Sequence, residues 1–64
     1  MKIYKIRTKN ENGDFLYFNR DLSAFTGKFP SCYRGKRATV DGLDYAKKCA
    51  SSQAMIDNLE IIEN

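Results

Sequence analysis

Residues 2–19, KIYKIRTKNENGDFLYFN, decide the fold. Two runs rich in β-branched and aromatic residues, Lys2–Lys9 and Asp14–Asn19, flank the tetrapeptide Asn10-Glu11-Asn12-Gly13. Asn12-Gly13 is a strong hairpin signal, because a type I′ turn needs positive φ at both central residues and Asn and Gly tolerate it best. With those two at the turn, Thr8 opposes Tyr17, Arg7 opposes Phe18, Lys9 opposes Leu16 and Lys5 opposes Arg20. Opposed residues share a face. One face is therefore expected to carry Tyr4, Ile6, Thr8, Phe15 and Tyr17 as core. The other carries Ile3, Lys5, Arg7, Lys9, Leu16, Phe18 and Arg20, a basic surface with apolar rungs.

Beyond the hairpin the pattern weakens. Asp21-Leu22-Ser23-Ala24-Phe25 reads as a helical turn closed by Gly27, and Lys28-Phe29-Pro30-Ser31 as loop or edge strand, since Pro donates nothing to a ladder. Cys32-Tyr33-Arg34 and Lys36–Val40 suggest a short third strand around Gly35. A helix is expected from about 41 to 57. Asp41 serves as N-cap with Asp44 three residues on, and Val40 and Tyr45 form a hydrophobic staple across the start. Leu43, Ala46, Cys49, Ala50 and Gln53 recur at helical spacing as a stripe of mostly small residues that lets the helix lie close to a sheet. The helix should end near Asp57-Asn58, after which Leu59-Glu60-Ile61-Ile62 reads as a final strand. The expected fold is a single α+β domain over residues 1–64, β-β-(β)-α-β, with the helix packed on one face of a small sheet.

Composition narrows the function classes. At 42% apolar and 30% charged, the chain is no disordered tail. Its longest apolar run, Phe15-Leu16-Tyr17-Phe18, falls far short of the roughly 20 residues that span a bilayer, so no membrane role is expected. There is no His, and Cys32 and Cys49 alone cannot fill a four-ligand zinc site, so no metal or other cofactor is expected. Met1-Lys2-Ile3-Tyr4-Lys5 has no apolar h-region. Both cysteines accordingly read as free thiols in a reducing cytoplasm. Cys32 is taken as a small buried apolar residue, the alternative being a thiol whose pKa is lowered beside Arg34. No carboxylate pair or glycine-rich phosphate loop stands out, and Asp41 and Asp44 are explained by capping. A catalyst is not expected.

What suggests a partner is the charge. Residues 1–40 hold nine Lys/Arg against three Asp/Glu, while residues 41–64 hold two against five, within a net charge of +3. The basic excess, threaded with aromatics, points to an acidic partner. Two candidate surfaces follow. One is the cluster Lys28, Phe29, Tyr33, Arg34, Lys36 and Arg37, in a stretch with no acid between Asp21 and Asp41. The other is the second hairpin face, with Lys5, Arg7, Phe18 and Arg20. Cations with aromatics suit first an acidic patch on a larger protein, the leading expectation. They also suit a nucleic acid, whose phosphates take Lys and Arg and whose unpaired bases stack on rings. Leu16 and Phe18 on the second hairpin face are expected either to be covered by segment 21–38 or to join two copies, a third reading being a homodimeric structural subunit.

In layout the chain resembles the small early accessory proteins of tailed bacteriophages. The resemblance lies in the opening Met1-Lys2-Ile3-Tyr4-Lys5-Ile6-Arg7, the Asn-Gly hairpin, Tyr33-Arg34-Gly35-Lys36-Arg37, the Ala/Lys helix and the Leu-Glu-Ile-Ile strand. It implies a stoichiometric binder that alters host machinery from within the host cytoplasm, a modulator or inhibitor rather than a catalyst. It assigns no role to any individual residue.

Overall fold

Asn10 and Gly13 turn the hairpin through three residues rather than two. Gly13 N donates to Asn10 O and Asn10 N donates to Asp14 O, both at 3.0 Å, with Gly13 in the left-handed region at φ 87°. This is a type I turn followed by a left-handed glycine. The Asn10 side chain favours it, since its Oδ1 accepts from the amides of Asn12 and Asp14, each at 3.0 Å. The computed structural model that shows this describes residues 2–63; Met1 and Asn64 lie outside it.

The extra loop residue shifts the register by one. β1 (Ile3–Lys9) and β2 (Phe15–Asn19) pair antiparallel with Arg7 opposite Tyr17, Thr8 opposite Leu16 and Lys9 opposite Phe15. A one-residue slip moves every side chain of a strand to the other face. Ile6, Thr8 and Phe18 are accordingly buried together, and the expected core positions Phe15 and Tyr17 turn to the opposite face.

The turn after β2 is tight, not helical. Asn19 Oδ1 accepts from Asp21 N (3.0 Å) and Leu22 N (3.2 Å), and Ser23 adopts φ 50°. The chain then returns as β3 (Ala24–Thr26), placing Phe25 opposite Phe18 with ring centroids 5.2 Å apart. A Phe pair at the sheet thus overrides the local helical signal of residues 21–25.

From β3, on the outer edge of β2, the chain crosses to the inner edge. Even-numbered residues of β2 turn their main-chain groups toward β1, in step with the Asn10–Asp14 bond. Ser31 N donates to Phe18 O at 2.9 Å on that inner edge, and Ser31 Oγ accepts from Arg20 N at 2.8 Å. β4 (Tyr33–Arg34) then pairs with β1, Tyr33 opposite Tyr4 and Arg34 opposite Ile3. β5 (Glu60–Glu63) pairs antiparallel with β1 from Tyr4–Glu63 to Arg7–Glu60. Tyr4 bonds to both β4 and β5, and Arg7 to both β2 and β5, so β1 is central with β5 alone along one edge.

The helix begins earlier than its acids suggest. Gly35, at φ 84°, ends β4, and α1 runs over Lys36–Cys49. Residues 36–40 are therefore helical rather than a strand, and Asp41 and Asp44 lie exposed within α1 instead of capping it. Lys36, Arg37 and Ala38 are good helix formers, and Thr39 donates its hydroxyl back to Gly35 O at 2.7 Å. The expected staple does not form: Val40 stays exposed, and Tyr45 packs edge-on to Phe18 with centroids 5.6 Å apart. Ala50 turns extended after Cys49. Ser52 then caps a second helix, α2 (Gln53–Asp57), its Oγ accepting from Met55 N at 3.3 Å. The single helix expected over 41–57 is two. Asn58 closes α2 at φ −100°, outside the left-handed region.

The result is a small α+β fold, an antiparallel sheet with α1 packed on one face and a C-terminal strand bonded to β1. Ile6, Phe18, Tyr33 and Ala46 form the core, with Phe25, Leu43, Cys49 and Leu59 packed around it. The Thr8 hydroxyl donates to Met55 O, so α2 closes the same face as α1.

Candidate functional site

The helices cover one face of the sheet. What stands on the other follows from the pairing. β1 contributes Ile3, Lys5, Arg7 and Lys9, and β2 contributes Phe15, Tyr17 and Asn19. Opposite these stand Arg34 on β4, and Glu60 and Ile62 on β5. The strand positions of this open face carry four cations, Lys5, Arg7, Lys9 and Arg34, against one acid, Glu60. Elsewhere seven cations meet seven acids. The strand positions of the open face thus carry +3, equal to the net charge of the chain.

Its centre is an aromatic–cation group. The Arg7 guanidinium lies 4.3 Å from the Phe15 ring centroid, and Lys9 Nζ lies 4.9 Å from it. Arg7 Nε donates to Glu60 Oε1 at 2.7 Å, and Arg7 Nη2 forms an ion pair with the same carboxylate. The Glu60 hydrogen bond raises the already high Arg7 pKa, so the group stays charged at any working pH. Phe15 remains 47% exposed. Tyr17, half-buried, faces Arg7 across the ladder.

The loop between β3 and β4 meets the open face at the end of β2. Asn19 belongs to the open side, and its Nδ2 donates to Phe29 O at 3.2 Å, so the crossing over the end of β2 passes there. Thr26 Oγ1 pairs with Lys28 O and accepts from Lys28 N at 3.3 Å. Phe29 sits at φ 60°, a conformation that costs a bulky residue on the order of 1–3 kcal/mol.

The expected site residues therefore divide. Lys5, Arg7 and Arg34 stand on the open face, with Lys28 and Phe29 in the loop beside it. Phe18 does not: it is fully buried between Phe25 and Tyr45 and offers nothing to a partner. Tyr33 is also core, 5% exposed, its ring against Gly42 and its hydroxyl without a hydrogen-bond partner among the described residues. Burial pushes the Tyr33 pKa up, opposed by the charge of Arg20. Arg20 shares the parity of Phe18, and its guanidinium lies 5.1 Å from the Tyr33 ring, away from Lys5 and Arg7. Lys36 lines a hollow with Tyr4, Thr39, Val40 and Ile61 on the helical side, and Arg37 is exposed on the first turn of α1. The two clusters expected from sequence thus meet only in part.

A two-residue turn gives Phe15 and Tyr17 no functional part; the signal for them is Asn10, whose side chain draws the loop to three residues. Glu60 stands on the open face through the pairing of β5 with β1.

Cys32 is exposed rather than buried, and both cysteines are free thiols. Among the described residues, no group of three or more Cys, Asp or Glu is placed to hold a metal ion, and no helix is long and apolar enough to cross a membrane. Compared with protein-family models, curated proteins and solved structures, the chain matches none.

Proposed function

We propose that the chain binds single-stranded nucleic acid on the open face of its sheet. The observation that carries this reading is the register of β2, which turns two aromatic rings, Phe15 and Tyr17, onto the face whose strand positions carry +3. Base–aromatic stacking contributes about 1–3 kcal/mol per base and tolerates any sequence, since every base has a π-face. A sheet face suits an unpaired strand, whose splayed bases reach flat-lying rings. Lys5, Lys9 and Arg34 are free to meet phosphates, while Arg7 is partly committed to Glu60. With about three phosphates neutralised, the slope of log affinity against log salt is expected near −2, at roughly 0.7 per phosphate for single strands.

Titration of fluorescent single- and double-stranded oligonucleotides at two salt concentrations tests the reading. The expected result is preferential single-strand binding that weakens with salt and with Lys5→Glu. Absence of binding at low salt removes the reading and leaves an acidic protein surface, the other partner that fits the charge. In the setting implied by the phage-like layout, either partner belongs to the infected cell.

A further inference from the structure

We infer that Phe29 is a third stacking residue of the same face, so that a bound single strand runs along β2 from Phe15 past Tyr17 to the crossing loop. The inference rests on the single-strand reading and deepens it. Phe29 is held left-handed, and the following Pro30 further restricts its backbone, favouring an extended conformation that the loop overrides. Its conformation is fixed by Asn19, by the Thr26–Lys28 contacts and by Ser31 on the inner edge of β2. Yet Phe29, whose backbone is held in this way, is 70% exposed. The strain serves no burial within the chain, which points to a contact outside it.

The geometry gives that contact a class. Phe15, Tyr17 and Asn19 follow one another along one side of β2 at about 6.7 Å per two residues, and Asn19 carries the Phe29 carbonyl. The line from Phe15 to Asn19 is therefore about 13 Å long, roughly four stacked rises of 3.4 Å, which about five nucleotides span. Lys28 Nζ lies over the Phe29 ring, 5.1 Å from its centroid, so a base that stacks there displaces a flexible cation that can then meet the adjoining phosphate. A strand too short to cover the line cannot use Phe15 and Phe29 together.

The test compares an oligothymidylate trinucleotide with a decanucleotide on the wild type, Phe29→Ala and Phe29→Trp, with circular dichroism confirming that each variant folds. The expected result is that Phe29→Ala loses about tenfold in affinity for the decanucleotide, keeps its affinity for the trinucleotide, and that Phe29→Trp binds both as the wild type does. Equal binding of the decanucleotide by wild type and Phe29→Ala overturns the role of Phe29 and leaves the sheet-face reading standing. Equal losses at both lengths also overturn its place at the far end of the line. A wild type that binds neither oligonucleotide overturns both readings together.

Discussion

The Arg7 guanidinium is shared between the Phe15 ring, 4.3 Å from its centroid, and the Glu60 carboxylate, which accepts from Nε at 2.7 Å. Glu60 is the one acid among the strand positions of the open face, so it restrains the charge that a polyanion would meet. Glu60→Gln should raise oligonucleotide affinity severalfold and steepen the salt slope by about 0.7, one further phosphate's worth. The melting temperature should hardly move, because exposed ion pairs contribute little. Salt-dependent titration together with a thermal melt checks both halves.

Tyr33 and Gly42 set how closely β4 approaches α1. A Cβ at Gly42 would clash with Tyr33 Cε1 and Cζ, on a ring buried in the core. Gly42→Ala gains about 1 kcal/mol in helix propensity but incurs overpacking of roughly 1–3 kcal/mol, so a net loss is expected. Gly27 has open space around it and ordinary φ, so Gly27→Ala should be neutral or slightly stabilising. Urea denaturation of the pair decides whether the strand–helix contact is as tight as described.

The hairpin register has its own test in Phe18 and Phe15. Phe18→Ala empties the centre of the core and should cost about 3–5 kcal/mol, comparable to the whole stability of so small a domain. Phe15→Ala should leave a folded protein. The register expected from an Asn12-Gly13 two-residue turn gives the reverse order, so thermal melts of the two variants distinguish the alternatives.

Tyr33 couples stability to alkaline pH. Burial raises its pKa in the folded chain above the ordinary value of 10.0, despite the opposing charge of Arg20. The unfolded chain then ionises first, so the contribution is complete below about pH 10 and is lost as pH rises from there through the folded-state pKa. Denaturation between pH 9 and pH 11, roughly the range around a normal tyrosine pKa, should show a fall in stability that Tyr33→Phe reduces.

The fold class and the order of its long elements could be read from the residues, though not β3 or the break between α1 and α2, because each long element carries its own signal: alternation in β1, helical spacing through Leu43 and Ala46, and β-branching at the end. The details that set the open face could not. Asn12-Gly13 announces a turn, but the loop length depends on Asn10 Oδ1 competing for the amides of Asn12 and Asp14, a side-chain effect that pattern alone does not weigh. The start of α1 was hidden because Asp41 and Asp44 resemble a cap, whereas Gly35 and the back-bonded Thr39 open the helix. The one extra residue in the hairpin loop exchanges Phe18 and Arg20 for Phe15 and Tyr17 on the basic face. Lys5, Arg7 and Arg34 keep their place, since β1 and β4 do not depend on the turn.

The most direct test of the central claim is residue-by-residue NMR chemical-shift mapping while a single-stranded oligonucleotide is added. The structure-based expectation is that shifts concentrate at Lys5, Arg7, Lys9, Phe15, Tyr17 and Arg34, with Phe29 joining for longer strands, while the exposed side of α1 around Asp41 and Asp44 stays still. Shifts centred on Lys36 and Arg37, or none at saturating oligonucleotide, would contradict it.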